Sequence, residues 1–198
     1  MKRPLYKAGL LAATIAVFAS CKKFDDINID PQAANADQVQ VEYFINNSMI
    51  GAQMDPHIAE RVFVLYWKTA GHQQASGGLS SGAANDGWTS DYYSYISGWL
   101  NSINTGIQVA EEKIAAGNVK PYTNNLLQVA RIWRAYLMSE LSDNFGPIPI
   151  NGFQGVNPEF ADVKTVYYYL LSELKDASTK LDESISNPSN LAKQDPAY

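Results

Sequence analysis

Residues 96–114 read ISGWLNSINTGIQVAEEKI, and within them Ile96, Leu100, Ile103, Ile107, Ala110 and Ile114 recur at steps of three and four. That spacing gathers the six side chains on one face of a helix and predicts an amphipathic core element. Gly117-Asn118 supplies a left-handed stop, and Pro121 restarts the chain. Leu126, Ala130, Trp133, Leu137 and Leu141 form the next stripe, and Val129, Ile132 and Tyr136 widen it, as expected for a helix packed on two sides.

The same periodicity extends outward from this pair. On the C-terminal side a Gly/Pro/Asn-rich connection runs from Asn144 to Pro158, after which Asp162 is placed to cap a third helix. Val166, Leu170, Leu174, Ala177, Leu181 and Ile185 point one way along it, and Asn187-Pro188 ends it. On the N-terminal side Val39 to Ala70 carries Phe44, Met49, Val62, Leu65 and Tyr66 at helical spacing, with Pro56 dividing it into two helices. Residues 71–91 interrupt the pattern. Gly71, Gly77, Gly78, Gly82 and Gly87 with several serines predict a loop, long enough that a compact domain would rarely keep it without a use. No segment alternates as a strand over any length. The expected fold is all-α, with antiparallel helix pairs stacked as in a helical-repeat array, although the tetratricopeptide consensus itself is not legible.

Composition narrows the function. With 46% hydrophobic and 18% charged residues, the 198-residue chain has the make-up of a globular domain able to bury a core. It opens on a basic segment, Lys2, Arg3 and Lys7, followed by an apolar run from Ala8 to Phe18 that is too short to span a bilayer. This reads as a removable leader over residues 1–20. Val17-Phe18-Ala19-Ser20 before Cys21 resembles a bacterial lipobox, in which small residues admit a lipoprotein signal peptidase beside a lipid-modified cysteine. Phe18 departs from the usual small residue there. Removing the leader takes the formal charge from −5 to −8, which argues against a nucleic-acid partner. Cys21 is the only cysteine, so once acylated it leaves none for a disulfide or a thiol nucleophile. Residues 21–38 read as anchor and polar tether, with the acidic pair Asp25-Asp26 resembling a surface-export signal, and 39–198 as the helical domain.

The candidate ligand-binding residues are Trp88, Tyr92, Tyr93, Asn85 and Asp86, at the end of the glycine-rich segment. Flat aromatic rings stack on the apolar faces of sugars while amides and carboxylates bond the hydroxyls. Trp88, Tyr92 and Tyr93 suit this role and a core role alike. Tyr95 and Trp99 read as the start of the next helix and as core. Gly78-Leu79-Ser80-Ser81-Gly82 matches the G-x-S-x-G pattern of serine hydrolases but lacks the flanking strand and helix that the chemistry requires, so no catalytic residue is assigned. His57 and His72 have neither a cysteine partner nor i, i+4 spacing, and no metal or cofactor is expected. Arg131 and Arg134 fall opposite the stripe of their helix, as a solvated or ion-paired face.

Ala130-Arg131-x-x-Arg134-Ala135-Tyr136, running into Leu141-Ser142-Asp143-Asn144-Phe145-Gly146-Pro147-Ile148-Pro149, resembles the helix and exit turn of SusD/RagB nutrient-binding outer-membrane lipoproteins. Pro158-x-Phe160 followed by Val166-Tyr167-x-x-Leu170-Leu171-x-Glu173-Leu174-x-x-Ala177-x-x-x-Leu181 is similar to the next helix of that family. The resemblance implies tetratricopeptide-like helix pairs, lipid attachment at Cys21 and a cell-surface position in the outer membrane. It also implies a glycan or oligosaccharide ligand, to which an N-terminal loop contributes, and a SusC-like TonB-dependent transporter as partner. Some relatives take peptides. SusD-like proteins are much longer, so the chain is expected to correspond to an N-terminal portion. The competing expectation is a helical-repeat adaptor lipoprotein that contacts a protein partner.

Overall fold

The computed structural model describes residues 39–53, 71, 73, 86–150 and 158–185. Its elements lie in the compact unit Gln40–Tyr198. The leader, Cys21, the tether, the second helix expected after Pro56, most of the glycine-rich segment, His57, His72, Ser80 and Asn187-Pro188 lie outside the described residues.

Four helices and one short strand pair follow in order: α1 (Val41–Ala52), α2 (Asp86–Ala115), α3 (Thr123–Phe145), β1 (Ile148–Pro149), β2 (Phe160–Ala161) and α4 (Val163–Thr179). The all-α expectation holds. Local chemistry sets the helix ends as the sequence implies. Gly117 at φ 70° carries the turn that stops α2, with the Asn118 amide donating back to the Lys113 carbonyl at 3.0 Å. Gly146 at φ 81° ends α3, its amide donating to the Ser142 carbonyl at 2.8 Å while the Ser142 hydroxyl returns a bond to the Gly146 carbonyl. The Asp162 carboxylate caps α4 by accepting from the Thr165 amide at 2.7 Å.

Each helix runs antiparallel to its neighbour, as the pairing of residue numbers shows. Between α1 and α2, Ser102 meets Phe44 while Trp99 meets Ser48. Between α2 and α3, Tyr93 meets Phe145 while Asn104 meets Arg134. Between α3 and α4, Asp143 meets Tyr167 while Asn124 meets Lys180. One side chain's number rises as the other's falls in every case. The core between the layers contains Ile96, Leu100 and Ile103 from α2 and Leu137, Met138 and Leu141 from α3, all essentially without exposed surface. At roughly 1.5–3 kcal/mol for each such side chain, this burial is the main force holding the stack together. Val41 and Ile45 of α1 and Val166 and Leu170 of α4 close the core from the two sides.

Several expectations need correction. The glycine-rich loop does not reach residue 91, because α2 already begins at Asp86. Tyr92 stands four residues before Ile96 and extends the buried stripe backward, which gives the extra turns something to pack on. At the other end of the stripe Ile114 is 39% exposed. Helix α4 stops at Thr179 instead of continuing to Ile185. There the Asn125 side chain donates to the carbonyls of Asp182 and Ile185 and accepts from the Asp182 amide, holding residues 182–185 against α3 in a non-helical path. Val166, Leu170 and Ala177 are buried, whereas Leu174 on the same stripe is 37% exposed. The β1–β2 pair, Ile148 opposite Ala161 and Pro149 opposite Phe160, is too short to leave an alternating signal.

Two glycines of α2 give opposite predictions. A Cβ on Gly106 would lie 2.9 Å from Cβ of Phe44, where the rigid root of a side chain cannot move aside, so α1 and α2 approach closely only because Gly106 has none. Overpacking costs about 1–3 kcal/mol and outweighs the roughly 1 kcal/mol of helix propensity gained. Gly106→Ala should therefore lower the urea midpoint. Gly98 meets nothing within 4 Å, so Gly98→Ala should raise it by the propensity gain alone.

Candidate functional site

Of the aromatic residues singled out in the sequence, Tyr92 and Tyr93 lie where the start of α2 meets the end of α3. Tyr93 packs edge-on against Phe145, with ring centroids 5.2 Å apart and planes at 86°, while Tyr92 lies tilted against the same ring at 6.2 Å. Edge-to-face geometry sets the positive rim of one ring on the negative face of the next, and fixes both. Tyr95 and Trp99, one turn further on, lie nearly parallel at 6.4 Å. Trp99 packs against the core, and its indole touches the Gly51 surface of α1.

Tyr92 and Tyr93 differ in access. Tyr92 is 3% exposed and its hydroxyl donates to the Glu140 carboxylate at 3.3 Å. Burial first, and the Glu140 charge second, push its phenol well above the ordinary range, so it stays a neutral donor at any physiological pH. Its ring surface is covered by protein. Tyr93 is only partly buried. Trp88 and Asp86 begin the helix, four or more residues ahead of Tyr92, and Asn85 lies outside the described residues. The structure thus joins Tyr92 and Tyr93 through Phe145, a residue the sequence reading used only as part of a turn.

Polar groups surround this aromatic end. The Asn144 side chain donates to the Glu140 carbonyl at 2.7 Å, and Tyr167 of α4 bonds the Asp143 carboxylate. Tyr136, on the next turn of α3, stacks obliquely on Trp133 at 5.0 Å. Its phenol is raised by partial burial and then by Glu140. The resulting mixture of rings, amides and carboxylates offers stacking faces and hydroxyl partners.

Arg131 and Arg134, expected as a solvated or ion-paired face opposite the stripe, are ion-paired, and their partners come from α4. Glu173 accepts from Arg131 Nη2 at 2.9 Å and from Arg134 Nη2 at 2.6 Å, so one carboxylate bridges two guanidinium groups. Asp176 adds a second partner to Arg131 at 2.7 Å and also holds Lys180. Among the described residues no His/Cys/Asp/Glu group is arranged to hold a metal ion, and no helix is long and apolar enough to cross a membrane.

Antiparallel helices stacked about one core, with an aromatic and polar cluster at one end, define an all-α helical-stack scaffold. Within that class, the chain belongs to the SusD-like family described as starch-binding and associating with the outer membrane, whose profile matches residues 33–198. No curated protein and no solved structure gives a significant match.

Proposed function

We propose that this protein is a cell-surface lipoprotein of the outer membrane that captures a glycan or oligosaccharide and delivers it to a SusC-like TonB-dependent transporter, without catalysing any reaction. The family match over residues 33–198 carries the proposal. The leader over residues 1–20, directly before Cys21, supports lipid anchoring, and the sequence run of Asn85, Asp86, Trp88 and Tyr93 leading into the first turns of α2 supports sugar contact. Tyr92, with its ring covered, acts there by holding Phe145 and Glu140 in place.

Trp88→Ala and Tyr93→Ala test the ligand. Losing a stacking ring should weaken retention on immobilised polysaccharide severalfold, since such contacts contribute about 0.5–1.5 kcal/mol beyond area. Retention unchanged in both variants would move the glycan site elsewhere. Lipid anchoring has its own test. Several acyl chains at about 0.8 kcal/mol per buried CH₂ anchor firmly, so wild-type protein should fractionate with outer membranes and Cys21→Ala should not. A Cys21→Ala protein as abundant in membranes as wild type would contradict it.

A second reading, that the domain is an adaptor contacting a protein partner, draws on the outer side of α4. Tyr168 and Leu171 are 68% and 60% exposed there, and Phe160 adds to the apolar surface. Substituting Tyr168 and Leu171 by serine should abolish partner recovery under this reading and leave glycan retention intact.

A further inference from the structure

A groove of about 510 Å³ runs where α2, α3 and α4 meet, at the opposite end of the α2–α3 pair from the aromatic cluster. Its volume falls within the roughly 300–1,000 Å³ of small-molecule clefts. Leu127, partly buried, gives it an apolar edge above the covered Ile107, while Glu111, Gln128, Arg134 and Lys180 are among its polar lining groups. Glu111 and Lys180 are exposed, so the groove is open to solvent.

Two properties of this lining point to the kind of ligand it takes. The charges balance: Arg131, Arg134 and Lys180 stand against Glu111, Glu173 and the Asp176 carboxylate that binds both Arg131 and Lys180. A strongly charged ligand would have to break one of these pairs, whereas a neutral ligand need not. The polar groups are also held in place before any ligand arrives. Gln128 is buried and fixed between Asn124 at 3.1 Å and Arg131 at 3.0 Å, and Glu173 clamps both arginines. Groups ordered in advance do not add their ordering cost to binding.

Capacity remains after these internal bonds. Arg134 uses three N–H groups on Asn104, Tyr169 and Glu173, out of the five a guanidinium carries. Glu111 makes no hydrogen bond to any described residue. Fixed donors and acceptors around an apolar edge match the hydroxyls and C–H face of a sugar.

We propose that this groove is a second carbohydrate subsite, taking a neutral oligosaccharide segment along the open edge of Leu127 with its hydroxyls on Glu111, Arg134 and Lys180. The inference rests on the glycan reading above but places a contact where that reading has none. The test is titration of the isotopically labelled full-length protein with maltohexaose, following the side-chain signals of Gln128 and Arg134 Nε–H together with the Trp88 indole. Saturable shifts of the groove signals are expected. Glu111→Ala and Lys180→Met, both at exposed positions, should each weaken that response about tenfold or more, in line with hydrogen bonds to charged groups, and leave the Trp88 response unchanged. Shifts of the Trp88 indole alone would overturn the groove while the glycan reading stands. Shifts at neither place, with maltohexaose and with other neutral oligosaccharides alike, would overturn both.

Discussion

Trp133→Ala should lower stability by about 3 kcal/mol and the melting temperature by on the order of 10 °C. Trp133 joins three layers. From α3 its indole Nε1 donates at 2.9 Å to the hydroxyl of Ser48 on α1, and that hydroxyl donates in turn to the Trp99 carbonyl of α2 at 2.9 Å. Ser48 has no exposed surface, so the bonds form where water cannot replace them. The ring also packs against the core and against Tyr136. Truncation removes the ring volume and the Ser48 donor together. Because Trp133 is only partly buried, the loss should sit at the low end of the 3–5 kcal/mol usual for Trp→Ala. Trp133→Phe keeps most of the packing and should cost about 1 kcal/mol, the hydrogen bond alone. Equal melting temperatures for wild type and Trp133→Ala would mean that α1 is not docked through this residue.

Glu173→Gln should cost about 2–3 kcal/mol, because it leaves two guanidinium groups facing each other across a neutral amide. Their side chains are 14% and 18% exposed, close enough to burial that water cannot fully replace the lost charge. Breaking a wholly buried pair costs about 3–5 kcal/mol, and the remaining exposure together with the Asp176 partner of Arg131 reduces that. The pH dependence carries the same signature. Burial pushes the Glu173 carboxyl up, but the hydrogen bonds and charges of Arg131 and Arg134 outweigh it and hold the group below the ordinary glutamate value. A carboxyl depressed in the folded state binds fewer protons there than when unfolded. Its contribution is therefore complete above the unfolded value near pH ~4.3 and is lost as pH falls through the folded one. Wild type should lose stability on acidification below about pH 5, and Glu173→Gln should flatten that limb. A variant with the wild-type acid limb would show that Glu173 is not the bridge.

The parts of the fold that were legible in sequence are those fixed by local periodicity and termini. The Ile96–Ala110 and Leu126–Leu141 stripes, the Gly117 and Gly146 stops and the Asp162 cap each depend on residues within a few positions of one another, and each is where the sequence places it. What escaped the sequence depends on distant partners. Asn125 ends α4 from 57 residues away through Asp182, and no local pattern encodes that. For Arg131 and Arg134 the sequence left a solvated and an ion-paired face open, because their partner Glu173 lies about forty residues further along the chain. Helix α3 is covered by α1, α2 and α4, so its second polar face is internal and finds Glu173. The aromatic end was visible as composition, and Tyr92 could have been assigned to the core by its four-residue step to Ile96. The role of Phe145 could not, since its partners Tyr92 and Tyr93 lie some fifty residues earlier in the chain.

Affinity electrophoresis of the purified protein through a native gel containing starch tests glycan capture most directly. Wild-type protein should be retarded relative to a starch-free gel, increasingly with starch concentration, and Trp88→Ala should regain much of its free mobility. Mobility unchanged by starch, together with no retention on any other polysaccharide, would contradict a glycan-binding role.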